Sequence, residues 1–273
     1  MNKKRIIIWV TTVIAWVLSL IILTPFVFII LNSLKTLKEV NVMQLSFPSV
    51  PQWNNYITAI KDATLVRTFL NSLFISTMST LVSVLASSMT AFVLSRRNTR
   101  MAKRIYYYYL IGLLAPYNIV TTVKVLQITG LMNKYTGIIV LYSALLIPAS
   151  IFFFYGFIKT VPIEMDEAAI IDGCGSFTLF TQIVLPILKP VTVTIVVINF
   201  MNAWNDFILP LYILGDSNKW TMVLGIYNFF GLYVTKWNLI FADIVLTILP
   251  VFIIYIAGQR HIVSGMVAGA IKG

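Results

Sequence analysis

Residues 167–173 read Glu-Ala-Ala-Ile-Ile-Asp-Gly, and Ile183, Leu185 and Pro186 follow at fixed distances. This stretch is acidic and helix-forming, whereas the chain around it is apolar and basic. Hydrophobic residues make up 59% of the 273 positions, charged residues only 11%, and the mean hydropathy is +0.91. So little polar surface cannot cover a water-soluble globule. The sequence therefore predicts an integral membrane protein that keeps one acidic segment outside the bilayer.

Six apolar stretches reach the roughly 20 residues that a helix needs to cross the hydrocarbon core. They predict an all-α membrane protein, a single transmembrane domain over residues 1–273, with spans at about 6–31, 68–94, 105–128, 137–158, 190–214 and 240–259. The first stretch exceeds the roughly 7–15 residues of a signal-peptide core, so we expect it to remain as a span. Pro116 and Asn118 predict an early break in the third span. Residues 221–235 are too short to cross and are expected at the interface or re-entrant.

The lysines and arginines predict the orientation, because cytoplasmic loops of membrane proteins carry an excess of them. Residues 96–104 hold five cations in nine positions, so this loop is expected in the cytoplasm. Six spans then place both termini and the loop of residues 159–189 inside. Twelve of the 20 cations fall on that side: Lys3, Lys4, Arg5, Arg96, Arg97, Arg100, Lys103, Arg104, Lys159, Lys189, Arg260 and Lys272.

Composition also argues against several classes of function. The net charge of +11 sits in short clusters at the ends of apolar runs rather than along one polar face, which argues against a nucleic-acid partner. Cys174 and His261 are the single cysteine and histidine, too few for a zinc cluster or a catalytic triad. No phosphate-binding Gly-rich loop with Lys and Ser/Thr occurs. We expect no enzyme activity, no metal and no cofactor in this chain.

The loop of residues 159–189 is predicted to fold as a helix, a glycine turn and a second helix. Pro162 suits the first position of a helix, and acidic residues in the first turn complement the helix dipole. Gly173 and Gly175 allow positive φ where the first helix stops. Ser176 can cap a second helix that ends at Leu185, before Pro186.

The charge of this loop predicts that it projects from the membrane. Four carboxylates against Lys159 and Lys189 leave a net charge of −2, which an anionic leaflet repels. Small Ala168 and Ala169 would let a partner approach closely. We therefore expect a docking site for a soluble protein, formed by Glu164, Asp166, Glu167, Ala168, Ala169, Ile170, Asp172 and Gly173.

At these residues the chain resembles the permease subunits of ATP-binding-cassette importers. Their signature is Glu-Ala-Ala, three residues, Gly, nine residues, Ile, one residue, Leu-Pro, and residues 167–186 match every fixed position. Further stretches are similar to the shorter permease subunit of the branch that imports sugars and oligosaccharides. These stretches are Asn71-Ser72, Trp204-Asn205-Asp206-Phe207 and the tail Gly265–Gly273.

The resemblance implies a function and a set of partners. The loop of residues 159–189 would carry the coupling helix, through which a separate ATPase moves the spans in alternating access. Implied partners are a second, homologous permease subunit, two ATP-binding subunits that hold ATP and Mg²⁺, and an extracellular or periplasmic solute-binding protein. The implied location is the bacterial cytoplasmic membrane.

Polar residues in the fifth predicted span form a second candidate site. Asn199, Asn202 and Asp206 are spaced to share one helix face, with Asn205 beside them. An acid within a span is costly unless it faces protein or water, so this face should point inward. Two interpretations remain open: a wall of the substrate path, or hydrogen bonds that hold helices together.

Two other functions compete with an importer subunit. An ion-gradient-driven transporter would need titratable groups at the membrane midplane, and Asp206 is the single candidate. A membrane scaffold without cargo would leave the spaced motif unexplained.

Overall fold

The computed structural model describes residues 3–61, 63–231 and 235–270, with side chains at 7–61, 64–231 and 235–259. The tail Gly265–Gly273 and the cations Lys3, Lys4, Arg5, Arg260 and Lys272 lie outside the described side chains. Within the described residues the chain is helical, with one isolated β-bridge between Phe230 and Thr235 and no strand. The all-α prediction is confirmed.

The described residues of the first half of the chain form seven helices. Their bounds are α1 Lys3–Ser33, α2 Leu37–Val40, α3 Asn54–Lys61, α4 Ala63–Arg96, α5 Arg100–Leu114, α6 Ile119–Ile128 and α7 Tyr135–Ile158. α1, α4 and α7 are each long and apolar enough to cross a membrane. The third predicted span is broken: the helix axis bends by 116° between α5 and α6, at residues 115–118. The break follows from Pro116 and from Asn118, whose side chain caps α6.

The second half begins with short helices. Their bounds are α8 Glu164–Ile171, α9 Ser176–Thr178, a π-helical turn Leu179–Val184, α10 Leu185–Ile187, α11 Lys189–Asn205, α12 Ile208–Ile213, α13 Met222–Gly225 and α14 Trp237–Ala270. Two 3₁₀ turns, Ser217–Lys219 and Ile226–Phe229, flank α13. α14 is the fourth helix able to cross by itself, and six spans result when each bent helix pair counts as one.

Residues 190–214 do not form one helix, contrary to the prediction. α11 ends at Asn205, Asp206 has an extended backbone, and α12 starts at Ile208. The Asp206 carboxylate accepts a hydrogen bond from the Ile208 N–H (3.0 Å), so Asp206 belongs to the turn before α12 instead of continuing α11. At its other end, α11 makes a 78° bend with the helical segment Ser176–Ile187. Within the predicted short segment 221–235, the described residues form α13 and the 3₁₀ turn Ile226–Phe229.

The chain packs as two units. One unit comprises the described residues up to Val66 together with Gly225–Leu249, and includes α1, α2 and α3. The other comprises Arg67–Leu224 and the described residues from Pro250 onward. In the second unit, α4 buries a regular series of small side chains, one or two in each turn: Ser72, Ser76, Ser79, Thr80, Ser83, Ser87 and Ser88. This packing surface agrees with the small-residue rule for membrane helices.

Candidate functional site: the hairpin of residues 159–189 and a buried polar network

The hairpin, residues 159–189, has the acidic first helix that the sequence predicted. Glu164, Asp166 and Glu167 lie in the first turn of α8, and the chain turns at Gly173 with φ +83°. Nothing lies within 4 Å of a Cβ built on Gly173, so the backbone conformation alone requires glycine there. Pro162 lies two residues before α8 instead of at its first position.

The second half of the hairpin differs from the prediction. Gly175 has φ −70° and is itself the N-cap of α9, so Ser176 is the first helical residue and makes no capping bond. The helical segment also continues through Pro186 to Ile187. The wide π turn that precedes Pro186 explains why this proline does not end the segment, since π turns absorb irregular bonding within helices.

An ion pair fixes the hairpin to the end of α4. Arg96 Nε lies 2.6 Å from Asp166 Oδ2, and Arg96 Nη2 lies 3.3 Å from Asp166 Oδ1. The same guanidinium donates to the Val161 carbonyl at 3.1 Å. Both side chains are largely buried, at 15% and 8% exposure. Asp166 thus points into the protein and does not belong to the outer surface of α8.

Apolar packing reinforces this attachment. Ala169 of α8 and Leu179 and Phe180 of the π turn are buried in one cluster with Ala91 of α4 and Ile158 of α7. These contacts attach the hairpin to the C-terminal parts of α4 and α7.

The opposite side of the hairpin is exposed and mixes acidic with apolar groups. Glu164, Glu167, Ala168, Asp172 and Gly173 are exposed. Large apolar side chains stand among them, with Ile170, Ile171 and Phe177 at 59%, 84% and 71% exposure. In the part of the chain that the structure describes, this surface has no covering element. Such a patch on a membrane protein's polar loop is typical of a protein-docking surface.

A buried hydrogen-bond network accounts for the position of Asn199, one residue of the second candidate site. The amide of Asn199 donates to Ser83 Oγ and to Ser150 Oγ, both at 2.9 Å. Asn199 is buried, so it joins α11 to α4 and α7. Ser150 and Asn199 also line a cavity of about 120 Å³, together with Asn202.

The other polar residues of that site are arranged differently. Asn202 and Asn205 are exposed on α11. Asp206 accepts a hydrogen bond from the Tyr142 hydroxyl at 2.9 Å, in addition to the one from the Ile208 N–H. Asn199, Asn202 and Asp206 therefore do not share one helix face, because α11 ends before Asp206.

The structure also gives a reason for Asn71-Ser72, which sequence analysis used only as a family resemblance. The Asn71 amide donates to the carbonyls of Asn218 (2.9 Å) and Trp220 (3.0 Å). Ser72 Oγ accepts from the Met222 N–H at 2.7 Å. The pair holds the loop between α12 and α13 to the start of α4. The role of Arg96 was also not predicted. The sequence indicated only that it is one of the cytoplasmic cations, and no local pattern reveals that its partner is Asp166.

Apolar helices long enough to cross a membrane, with an exposed acidic hairpin between the fourth and fifth spans, are typical of a membrane permease. The chain belongs to the family of binding-protein-dependent transport system inner membrane components, whose model matches residues 82–268. It is therefore a membrane-spanning transport subunit of an ATP-driven importer, and in this family ATP is hydrolysed on separate subunits.

Relatives align over nearly the whole chain. The chain is 35% identical to the probable starch degradation products transport system permease protein of Thermoanaerobacterium thermosulfurigenes, covering 100% of both chains. It is 36% identical to the multiple sugar-binding transport system permease protein of Streptococcus mutans, covering 93% of each. It is 33% identical to the diacetylchitobiose uptake system permease protein of Streptomyces coelicolor, covering 93% of this chain and 85% of the relative.

Solved structures share the fold. A chain of a bacterial ABC transporter involved in the import of the acidic polysaccharide alginate superposes with a TM-score of 0.84 at 18% identity, covering 95% of this chain and 98% of that one. A chain of the MetNI methionine transporter gives 0.52 at 16% identity, covering 74% and 95%.

Proposed function

We propose that this chain moves a sugar or oligosaccharide across the bacterial cytoplasmic membrane by alternating access. The observation that carries the proposal is its similarity, over nearly the full length, to permeases named for starch products, multiple sugars and diacetylchitobiose. The whole chain would act as one permease domain. Both termini would be cytoplasmic, in line with the five cations at residues 96–104.

The chain would work as one part of a larger complex. Its partners would be a second, homologous permease subunit, two ATP-binding subunits and an external solute-binding protein, with lipid around the spans. ATP and Mg²⁺ would bind to the ATP-binding subunits. The exposed apolar side chains of the hairpin support such a partner, since solvent alone would not favour Ile171 at its surface.

Within this proposal, the hairpin is the docking site for the ATPase. Its exposed residues, Glu164, Glu167, Ala168, Ile170 and Asp172, would contact the ATPase, and Gly173 would set the turn. Asp166 and Ala169 would serve the same site from the inside, because they hold α8 to the permease. Closure of the ATPases on nucleotide would then move the hairpin as a rigid body, together with the ends of α4 and α7.

The substrate path would run beside α11. Asn202 and Asn205 are exposed amides that could replace water around sugar hydroxyls, which is why we assign them to the wall of the path. Asn199 and Asp206 would support that wall through their bonds to Ser83, Ser150 and Tyr142.

The test is uptake of labelled oligosaccharides by vesicles that contain the assembled importer. We expect uptake to require internal ATP, to be blocked by vanadate and to survive a protonophore. Uptake that survives ATP depletion but fails with the protonophore would instead identify an ion-gradient-driven transporter. Unchanged uptake after deletion of the chain would identify a scaffold.

A further inference from the structure

The short helix α3 carries three different faces. Asn55 and Ala59 are buried. Trp53, just before the helix, and Ile57 and Ile60 follow at intervals of four and three residues, and they are 65%, 48% and 46% exposed. A third face is exposed and polar: Asn54, Thr58 and Lys61. An exposed apolar stripe beside an exposed polar stripe is the pattern of a helix that lies in a membrane interface.

Hydrogen bonds fix α3 at the C-terminal end of α1. The Asn55 amide donates to the carbonyls of Ser33 (2.8 Å) and Lys35 (2.9 Å). The Ser33 hydroxyl and the Tyr56 hydroxyl are 2.6 Å apart, and the Gln52 N–H donates to the Leu34 carbonyl at 2.8 Å. The depth of α3 in the membrane is therefore set by residues 33–35.

The length of α1 places those residues at the membrane surface. The apolar run from Ile6 to Leu31 rises about 39 Å at 1.5 Å per residue, which exceeds the roughly 30 Å of the hydrocarbon core. Its most apolar window, within Ile7–Ser33, has no residue buried against the rest of the chain, so α1 presents an apolar surface along its length. Polar residues begin directly after the run, at Asn32 and Ser33.

The loop before α3 adds a second apolar surface. Val42, Leu45, Phe47 and Val50 are all exposed, Phe47 by 87%. The loop is nevertheless held in place. Lys35, which is buried, donates from Nζ to the Gln44 carbonyl at 2.6 Å, and the Ser49 N–H donates to Glu39 Oε1 at 3.1 Å.

We propose that residues 42–60 form an interfacial anchor that seats its apolar side chains at the headgroup–acyl boundary of the lipid leaflet at the C-terminal end of α1. In the proposed topology this is the outer leaflet. Lipid fits this surface better than a protein does, because the exposed apolar stripe borders an exposed polar stripe at the depth of the interface. Trp53 is the residue type that favours this depth.

Photo-crosslinking in native membranes tests the anchor without requiring transport. Ile57 is replaced by p-benzoylphenylalanine, and the matched control is the same replacement of Thr58 on the polar stripe. After irradiation, mass spectrometry of the purified importer reports the adducts. We expect a phospholipid adduct at position 57 and none above background at position 58.

Other outcomes would overturn the anchor. A protein adduct at position 57 would mean that a partner subunit covers the stripe. No lipid adduct at position 57, or equal lipid adducts at both positions, would mean that the stripe does not face the leaflet selectively. The same comparison at Ile60 and Lys61 guards against a local folding defect, and the amount of each variant recovered from the membrane reports its insertion.

Discussion

At the scale of single residues, the Arg96–Asp166 ion pair has the clearest mechanical role. Asp166→Asn leaves Arg96 without its charge partner in a largely buried position, and breaking a buried pair costs up to about 3–5 kcal/mol. We expect strongly reduced uptake with a destabilised hairpin. Arg97→Gln is the control, because Arg97 is exposed beside Arg96 and lies outside the docking site. Normal uptake by Asp166→Asn, measured in vesicles, would contradict this role.

Gly173 makes a second prediction at this scale. Any residue with a Cβ pays about 1–2 kcal/mol to adopt the left-handed backbone that Gly173 has. We expect Gly173→Val to abolish uptake while the protein remains in the membrane. Gly175→Ala is the control, since Gly175 has φ −70° and open space around it. Equal loss in both variants, in uptake assays with immunoblotted membranes, would refute the explanation from φ.

Glu167 tests the charge of the docking surface itself. It is exposed and shares its turn with Asp166, but it makes no contact that holds the hairpin. Glu167→Lys should therefore leave the fold intact and prevent uptake by disturbing the ATPase contact. Copurification of the ATPase in mild detergent is the measurement, and retention of both ATPase and uptake would show that this residue is not part of the contact.

At the scale of elements, the turn after α1 depends on one carboxylate. Hydrogen bonds from Ser49 and Thr36 hold the pKa of Glu39 at about 2, below the ordinary 4.5. The lowered pKa means that this stabilisation is complete above about pH 4.5 and disappears as the pH falls towards 2. We expect Glu39→Gln to lower the thermal unfolding temperature at pH 7 and the difference from wild type to shrink below pH 4. A constant difference across that range would contradict the assignment.

The elements also show what a sequence can and cannot predict. The long apolar runs predicted the spans because hydrophobic length is a local property. The end of α11 was missed, because Asp206 leaves the helix and accepts hydrogen bonds from the Tyr142 hydroxyl and the Ile208 N–H. The two partners of Asn199 lie 49 and 116 residues away in the chain, and Asp166 lies 70 residues from Arg96. No local pattern could reveal contacts over such separations.

At the scale of the whole molecule, the docking site depends on the orientation of the chain in the membrane. The ATPase is cytoplasmic, so the hairpin must face the cytoplasm. Ile171→Cys places a thiol at one of the most exposed positions of the hairpin. We expect an impermeant maleimide to label it in inside-out vesicles stripped of the ATP-binding subunits and not in intact cells. Labelling of this variant from the outside, relative to the wild-type chain with Cys174 alone, would invert the topology.

The hairpin separates the residues that attach it from the residues that it displays. Asp166, Ala169 and Leu179 face inward, whereas Glu167, Ile171 and their exposed neighbours face outward. Mutations on the displayed side can therefore accumulate without disturbing the attachment. Exchanging those side chains alone would allow the permease to be engineered to bind a different ATPase. Related permeases can diverge in the ATPase they bind by the same substitutions.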